Sequence, residues 1–274
     1  MSKRIGKYKV SKKESSLSLV DGGNIKGQIT NNGAPMITTK FDLGAQVALD
    51  ALSTGAIFAA DGIGQWRFRC GNTLSTHEIG TQTLLAPAAA TTGLNVSGDQ
   101  TEDDGWAIRG RASAYEGVLN KDHFIVGTSP AFFFKVKFSI ADVSGVDDLR
   151  CGFAKVEGHQ DDPDDLDELA TLAVMAGDIK TQTIINGATT VATDLTSGGG
   201  DGAGNFADGG SHEFTINVSS AGAVTYLIDG VAPTGAVAYS FDSGEVVTPF
   251  WFHRHDSDIG GAIVWETFEF GLQQ

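Results

Sequence analysis

Three stretches of this sequence carry side chains whose types and spacing could do chemistry. Trp265-Glu266-Thr267-Phe268-Glu269 holds two carboxyl groups close together. Hydrolysis of a glycosidic bond needs such a pair, about 5 to 5.5 Å apart in a retaining site and about 6.5 to 9.5 Å apart in an inverting one. A spacing of three puts Glu266 and Glu269 on opposite faces of a regular strand, however, because side chains alternate with period two. His253-Arg254-His255-Asp256 places two imidazoles on one strand face, where Asp256 or Asp258 could complete a metal site. The plainer expectation there is an exposed polar face opposite Trp251 and Phe252. Asp161-Asp162-Pro163-Asp164-Asp165-Leu166-Asp167-Glu168 packs six carboxylates into eight residues. Asp161, Asp162, Asp164 and Asp165 are the candidate calcium ligands, since calcium takes clustered oxygens from loops, though the spacing is not that of an EF-hand. A run of like charge this dense is otherwise a solvated loop.

Other arrangements lead nowhere. The Gly198 to Phe206 loop is rich in glycine, but no lysine follows it and acidic residues flank it, so it does not cradle phosphate. Cys70 and Cys151 are too few and too far apart in sequence for a disulfide framework or a metal knuckle, and are expected to be two buried thiols. Spacing reveals no Ser-His-Asp or Cys-His set. No catalytic residue is assigned, and no cofactor beyond the calcium candidate.

The elements that must position these residues are strands. Ser211 to Gly230 reads as a hairpin: Phe214, Ile216 and Val218 alternate with polar residues, Ser220-Ala221-Gly222 turns, and Val224 to Ile228 runs back to Asp229-Gly230. Further strands are expected at Leu94 to Ser97, Gly105 to Gly110, His123 to Val126, Phe132 to Ile140, Leu149 to Glu157, Ala170 to Ala176, Lys180 to Ile185, Thr190 to Thr193, Thr248 to His255 and Ala262 to Phe270. A helical turn should lead from Pro163 into the Ala170 strand. Phe132, Phe134, Val136 and Phe138, with Trp265 and Phe268 or Phe270, form the expected core. Short alternating strands at regular intervals predict an all-β, antiparallel two-sheet sandwich over 94–274. Before it, 41–88 reads as a small β-rich element, with a helix from Phe41 to Leu52 and strands at Ile57 to Phe58, Gln65 to Cys70 and Glu78 to Leu85. Ala86 to Gly93 is the expected boundary. Residues 1–40 read as an extended basic arm with one short strand around Leu17 and Leu19.

Composition agrees with a folded, turn-rich chain: 36 of 274 residues are Gly, and aromatics make up 9 %. The net charge of −15 is unevenly spread. Lys3, Arg4, Lys7, Lys9, Lys12 and Lys13 place six of the 19 basic residues at the start, leaving the acidic residues to the body. An acidic body repels phosphates, which argues against a direct nucleic-acid role, whereas the basic arm suits an acidic partner. No run of 18 apolar residues occurs, and the basic start lacks the apolar region of a signal peptide, so synthesis in a cytoplasm is expected and a membrane partner is not.

The order of Phe132 to Phe138, Gly152-Phe153, Ser-His-x-Phe-x-Ile-x-Val at Ser211 to Val218, Val-Thr-Tyr-Leu-Ile-Asp-Gly at Val224 to Gly230 and Pro249-Phe250-Trp251-Phe252 resembles concanavalin-like (laminin-G-like) jelly rolls. More narrowly it resembles those carried by virion structural proteins of tailed bacteriophages. The resemblance covers about 94–274 and implies a jelly-roll sandwich. Glucanases of this kind carry Glu-x-Asp-x-Glu on one strand, and this sequence has no such triplet, which argues against an enzyme. With the basic arm, the resemblance implies a non-enzymatic capsid decoration or cement protein. It would be made in the host cytoplasm, sit on the virion's capsid surface, bind the phage shell protein through Lys3, Arg4, Lys7, Lys9, Lys12 and Lys13, and form a homo-oligomer. The alternative is a carbohydrate-binding, lectin-like module of a fibre or tail, with Trp106 or Trp251 stacking on a cell-surface glycan. A third, an overlooked glycoside hydrolase, would rest on carboxylates brought together only by the fold.

Overall fold

Period-two alternation builds this molecule, and β11 shows why. In Phe132–Ile140 every second residue is apolar, and all of those are fully buried while the residues between them are half-exposed. The computed structural model describes backbone and side chains at 79–81, 93–110, 124–158, 160–175, 177–195, 205–256 and 262–273, with 94 and 110 as backbone alone and 99 excepted. It also describes the backbone of the strands that precede residue 90.

The strands run in chain order as β1 (Lys3–Ile5), β2 (Tyr8–Lys13), β3 (Ser16–Asp21), β4 (Asn24–Thr30), β5 (Thr39–Asp42), β6 (Leu74–Ile79), β7 (Ala88–Ala89), β8 (Leu94–Asn95), β9 (Gly105–Gly110) and β10 (Phe124–Ile125). Then come β11 (Phe132–Ile140), β12 (Val146–Lys155), β13 (Leu169–Met175), β14 (Asp178–Ile184), β15 (Val191–Asp194), β16 (Ser211–Val218), β17 (Ala223–Ile228), β18 (Tyr239–Ser240), β19 (Val246–His255) and β20 (Ile263–Leu272). One sheet is ordered β15-β14-β13-β12-β19-β9-β6, with β10 also on β19; the other is β18-β17-β16-β11-β20-β8-β7, with β5 also on β20. All pairings are antiparallel, giving the expected two-sheet sandwich. No helix among the described residues is long and apolar enough to cross a membrane.

The two inner faces meet in an aromatic core. Phe132 packs edge-on against Phe153 at 5.0 Å between ring centroids, Phe138 against Trp251 at 5.3 Å and Phe134 against Phe268 at 5.1 Å. Such pairs add about 0.5–1.5 kcal/mol each beyond the area they bury. The β16–β17 hairpin joins this core through Phe214, Ile216, Val218, Val224, Tyr226 and Ile228. Gly222 at φ +94° closes its turn, where a Cβ would fall 2.4 Å from the Phe241 carbonyl oxygen.

Several expectations change before residue 94. The arm is more regular than expected: β1 to β4 form an antiparallel meander of their own. Thr39–Asp42 is a strand on β20, so the Phe41 helix does not begin as expected; residues 43–52, and the expected strands at 57–58 and 65–70, lie outside the described residues. The strand expected from Glu78 ends at Ile79, having begun at Leu74, and residues 80–81 turn. Ala86 to Gly93 does not separate two sets of sheets. Strands β5, β6 and β7, which precede or fall within it, pair with β20, β9 and β8 of the sandwich.

Candidate ligand-binding face

The residues singled out from sequence are largely structural. Trp106 and Trp251, proposed as sugar platforms, are both 0 % exposed. Their strands turn them inward, where Trp106 Nε1 donates to the Val96 carbonyl at 2.6 Å and Trp251 Nε1 donates to His253 Nδ1 at 3.1 Å. His253 and His255 share one strand face as expected, but it is the core face with Trp251, and both are fully buried. Burial pushes His253 down to about 3, helped by His255, so it stays neutral. Because its Nδ1 accepts from Trp251, its proton sits on Nε2, which faces the Ser97 carbonyl oxygen at 3.4 Å. Among the described residues no three His, Cys, Asp or Glu side chains converge as a metal site. Cys151 is a buried free thiol, raised well above its ordinary value by burial, and Cys70 lies outside the described residues.

The acidic stretch forms a strap tied to the sheet beneath it. Asp162 caps a short 3-10 turn, Pro163–Asp165, by accepting from the Asp164 amide at 2.9 Å. Asp164 accepts from Arg150 Nη1 and from the Thr190 hydroxyl, both at 2.7 Å. Arg150 is itself buried on the outer face of β12, clamped by both oxygens of Asp148 at 2.9 Å. Burial pushes Asp164 up, but the Arg150 and Thr190 hydrogen bonds outweigh it and hold the carboxyl below its ordinary value. Arg109 on β9 donates to the Gly158 carbonyl, and Leu166 packs into a second apolar cluster with Ile79, Ala107, Ala154, Leu169, Ile184, Phe250 and Phe252. Asp162 and Asp164 thus hold the strap in place. The strap closes the outer face of β12, β13 and β19.

Among the described residues, no comparable segment covers the outer face of the other sheet. Register across β17, β16, β11 and β20 sets Thr225, Asn217, Phe133 and Gly271 in one row, Leu227, Thr215, Lys135 and Glu269 in the next, and Glu213, Lys137 and Thr267 in a third. A β-bulge in β20 shifts the pairing between Lys137 and Phe138, leaving Glu266 as the extra residue. This overturns the expected alternation. Trp265, Phe268 and Phe270 all point inward, and Glu266 and Glu269 lie on the same outer face. Glu266 meets Lys137 Nζ at 2.5 Å and accepts from the Ser211 hydroxyl at 2.6 Å. Burial raises Glu266, and those two bonds bring it below the ordinary carboxyl value.

Phe133 is the feature that the sequence reading passed over. It is half-buried, whereas Phe132 and Phe134 beside it are sealed in the core. Among the described residues the other half-buried aromatic is Tyr239, whose hydroxyl donates to the Ile184 carbonyl at 2.7 Å and whose ring packs on Phe241. Phe133 stands between Asn217 and Gly271, the glycine leaving backbone beside the ring. Gln273 Nε2 donates to Asn217 Oδ1 at 3.1 Å and to the Phe132 carbonyl at 3.0 Å, which fixes both amides next to it. The signal was present in Phe132-Phe133-Phe134: alternation forces the middle ring outward. Of the basic arm residues, Lys3 and Arg4 lie on β1 and Lys9, Lys12 and Lys13 on β2; their side chains, and Lys7, lie outside the described residues.

No family model and no curated protein matches the chain. Among solved structures it is similar to the carbohydrate recognition domain of Emp47p (TM-score 0.49, 10 % identity, 82 % of this chain and 97 % of that one). It is similar also to a protein of unknown function from Shewanella oneidensis MR-1 (0.46, 11 %, 84 % and 90 %) and to an alginate lyase from Pseudomonas aeruginosa (0.43, 13 %, 68 % and 86 %). At these scores and identities the similarities assign neither ligand nor activity.

Proposed function

We propose that the chain is a carbohydrate-binding, lectin-like protein whose ligand lies on the outer face of the β17-β16-β11-β20 sheet. One observation carries this: a half-exposed aromatic ring, Phe133, standing beside the hydrogen-bonded Asn217 and Gln273 amides, with charged side chains in the next row. A sugar ring presents an apolar face to an aromatic and a rim of hydroxyls to amides and carboxylates, and Phe133 with Asn217, Gln273, Lys135 and Glu269 matches both requirements. Lys135 is loosely engaged, 3.7 Å from Glu213. Trp quenching is not a usable readout, because the described Trp residues are buried. Phe133→Trp supplies a reporter instead: titration with neutral oligosaccharides should shift and quench its emission saturably. A glycan panel that leaves the emission unchanged, and that wild type also fails to bind by calorimetry, rejects this function.

A second reading, a phage capsid decoration protein, is favoured by one feature. Five of the six basic residues at the start of the chain sit on β1 and β2, in a sheet that belongs to neither layer of the sandwich. Such an anchor would bind a shell protein, with this chain as a homo-oligomer. Co-sedimentation with phage capsids should then require residues 1–30, and equal pelleting without them rejects it.

A further inference from the structure

Glu168 opens a different line. It joins the strap to β13, is 0 % exposed, and neither carboxyl oxygen has a hydrogen-bond partner among the described residues. A buried acid in that condition is tolerated only when neutral. Its surroundings deepen the problem. Glu245 and Asp242 face it from the turn before β19, Asp167 from the strap, Tyr239 from β18, and Lys155 from the end of β12. Lys155 is the one cation among these groups, and it is already engaged, 2.6 Å from Asp167 and 3.2 Å from Glu245. Asp167 is in turn held by Glu157, whose Oε1 accepts the Asp167 amide at 2.9 Å. A negative charge on Glu168 therefore enters a site where three carboxylates oppose it and the lysine is shared.

We propose that Glu168 is a proton-operated latch: while protonated it lets the strap lie closed over the outer face of β12, β13 and β19, and once ionised it drives the strap open. Opening means that Lys155 leaves Asp167 for Glu168 or that Glu168 swings to water; either frees the part of the strap next to β13. The strap's other side-chain ties, Arg109 to the Gly158 carbonyl and Arg150 and Thr190 to Asp164, lie before Leu166, so the release is confined to Leu166–Glu168 and must also break the Gly187 amide's bond to the Asp167 carbonyl. What it uncovers is the apolar cluster that Leu166 seals, including Phe250 and Phe252. Burial and the neighbouring Glu245 raise the Glu168 carboxyl to about 7, which puts the change within an ordinary pH range.

The test is hydrogen exchange of the full chain between pH 5.5 and 8.5, corrected for intrinsic rates, read on peptides spanning 156–168. Wild type should lose protection about tenfold per pH unit up to the midpoint near 7 and level off above it, and Glu168→Gln, which is permanently neutral and nearly isosteric, should keep it throughout. The same pH dependence in both proteins, or no dependence in wild type, overturns the latch. Carboxyl carbon-13 NMR of wild type reads the group directly should the variant misfold: a midpoint near 7 supports the proposal, and one in the ordinary glutamate range rejects it.

Discussion

At the residue scale, two buried titratable groups set opposite pH slopes. Glu168 is raised to about 7, so between its ordinary value near 4.5 and that point the unfolded chain releases a proton that the native state keeps. Stability from this group is therefore lost as pH rises through that window, up to about 3 kcal/mol in all. His253 is lowered to about 3, so below about 6.5 the unfolded chain takes up a proton that the native state refuses, and stability is lost as pH falls. Between about 4.5 and 6.5 the two oppose each other. Urea unfolding at pH 5 and 6.5 should show Glu168→Gln gaining about 1.4 kcal/mol per pH unit relative to wild type. Parallel slopes would mean that Glu168 ionises as in the unfolded chain. Arg150 provides a separate check. Asp148→Asn leaves its buried guanidinium with only the half-exposed Asp164, and should cost about 3–5 kcal/mol in chemical denaturation. Asp164→Asn, at the exposed end of the same network, should cost clearly less.

At the element scale, strands with strict alternation were legible, and the departures from alternation were not. Phe132–Ile140 and Gly105–Gly110 match the expected bounds, and Phe214, Ile216 and Val218 bury the face foreseen for them. Trp265, Phe268 and Phe270 could not all be placed inward by a period of two, and it took the bulge at Glu266 to do so. A bulge leaves no residue-type signature when, as here, Glu-Thr occupies it. The histidines of β19 failed for another reason: polarity argued for solvent, but the carbonyls of Ser97 and Gly145 supply partners from distant segments, with His255 Nε2 at 2.8 Å from the first and Nδ1 at 3.2 Å from the second. Deleting Glu266 would put Trp265 and Thr267 in consecutive pairs with Phe138 and Lys137, keeping Trp265 inward, but would remove the bend of the bulge and the carboxylate that Lys137 and Ser211 hold. The expected loss is about 1–3 kcal/mol, seen as a thermal midpoint lowered by several degrees. A midpoint within a degree or two of wild type would show that the bulge is dispensable.

At the scale of the whole molecule, the strap closes the outer face of β12, β13 and β19, and among the described residues nothing comparable covers β17, β16, β11 and β20. The sequence contained the two-sheet architecture in its strand count and alternation, but not this asymmetry, which depends on Arg150, Arg109 and Leu166 reaching segments far from them in the chain. It also misdirected the search for an aromatic platform. Tryptophans are the conspicuous candidates by type, yet large apolar rings on inward positions of a sandwich are the core itself, and Phe133 was hidden between two rings that are. The measurement that bears most directly on carbohydrate binding is a glycan array probed in parallel with wild type and Phe133→Ala. The expected result is a defined set of glycans bound by wild type and lost by at least tenfold in the variant, about 1.4 kcal/mol, with an unchanged thermal midpoint. Glycans bound equally by both proteins, or none bound by wild type, would contradict the assignment of the outer face.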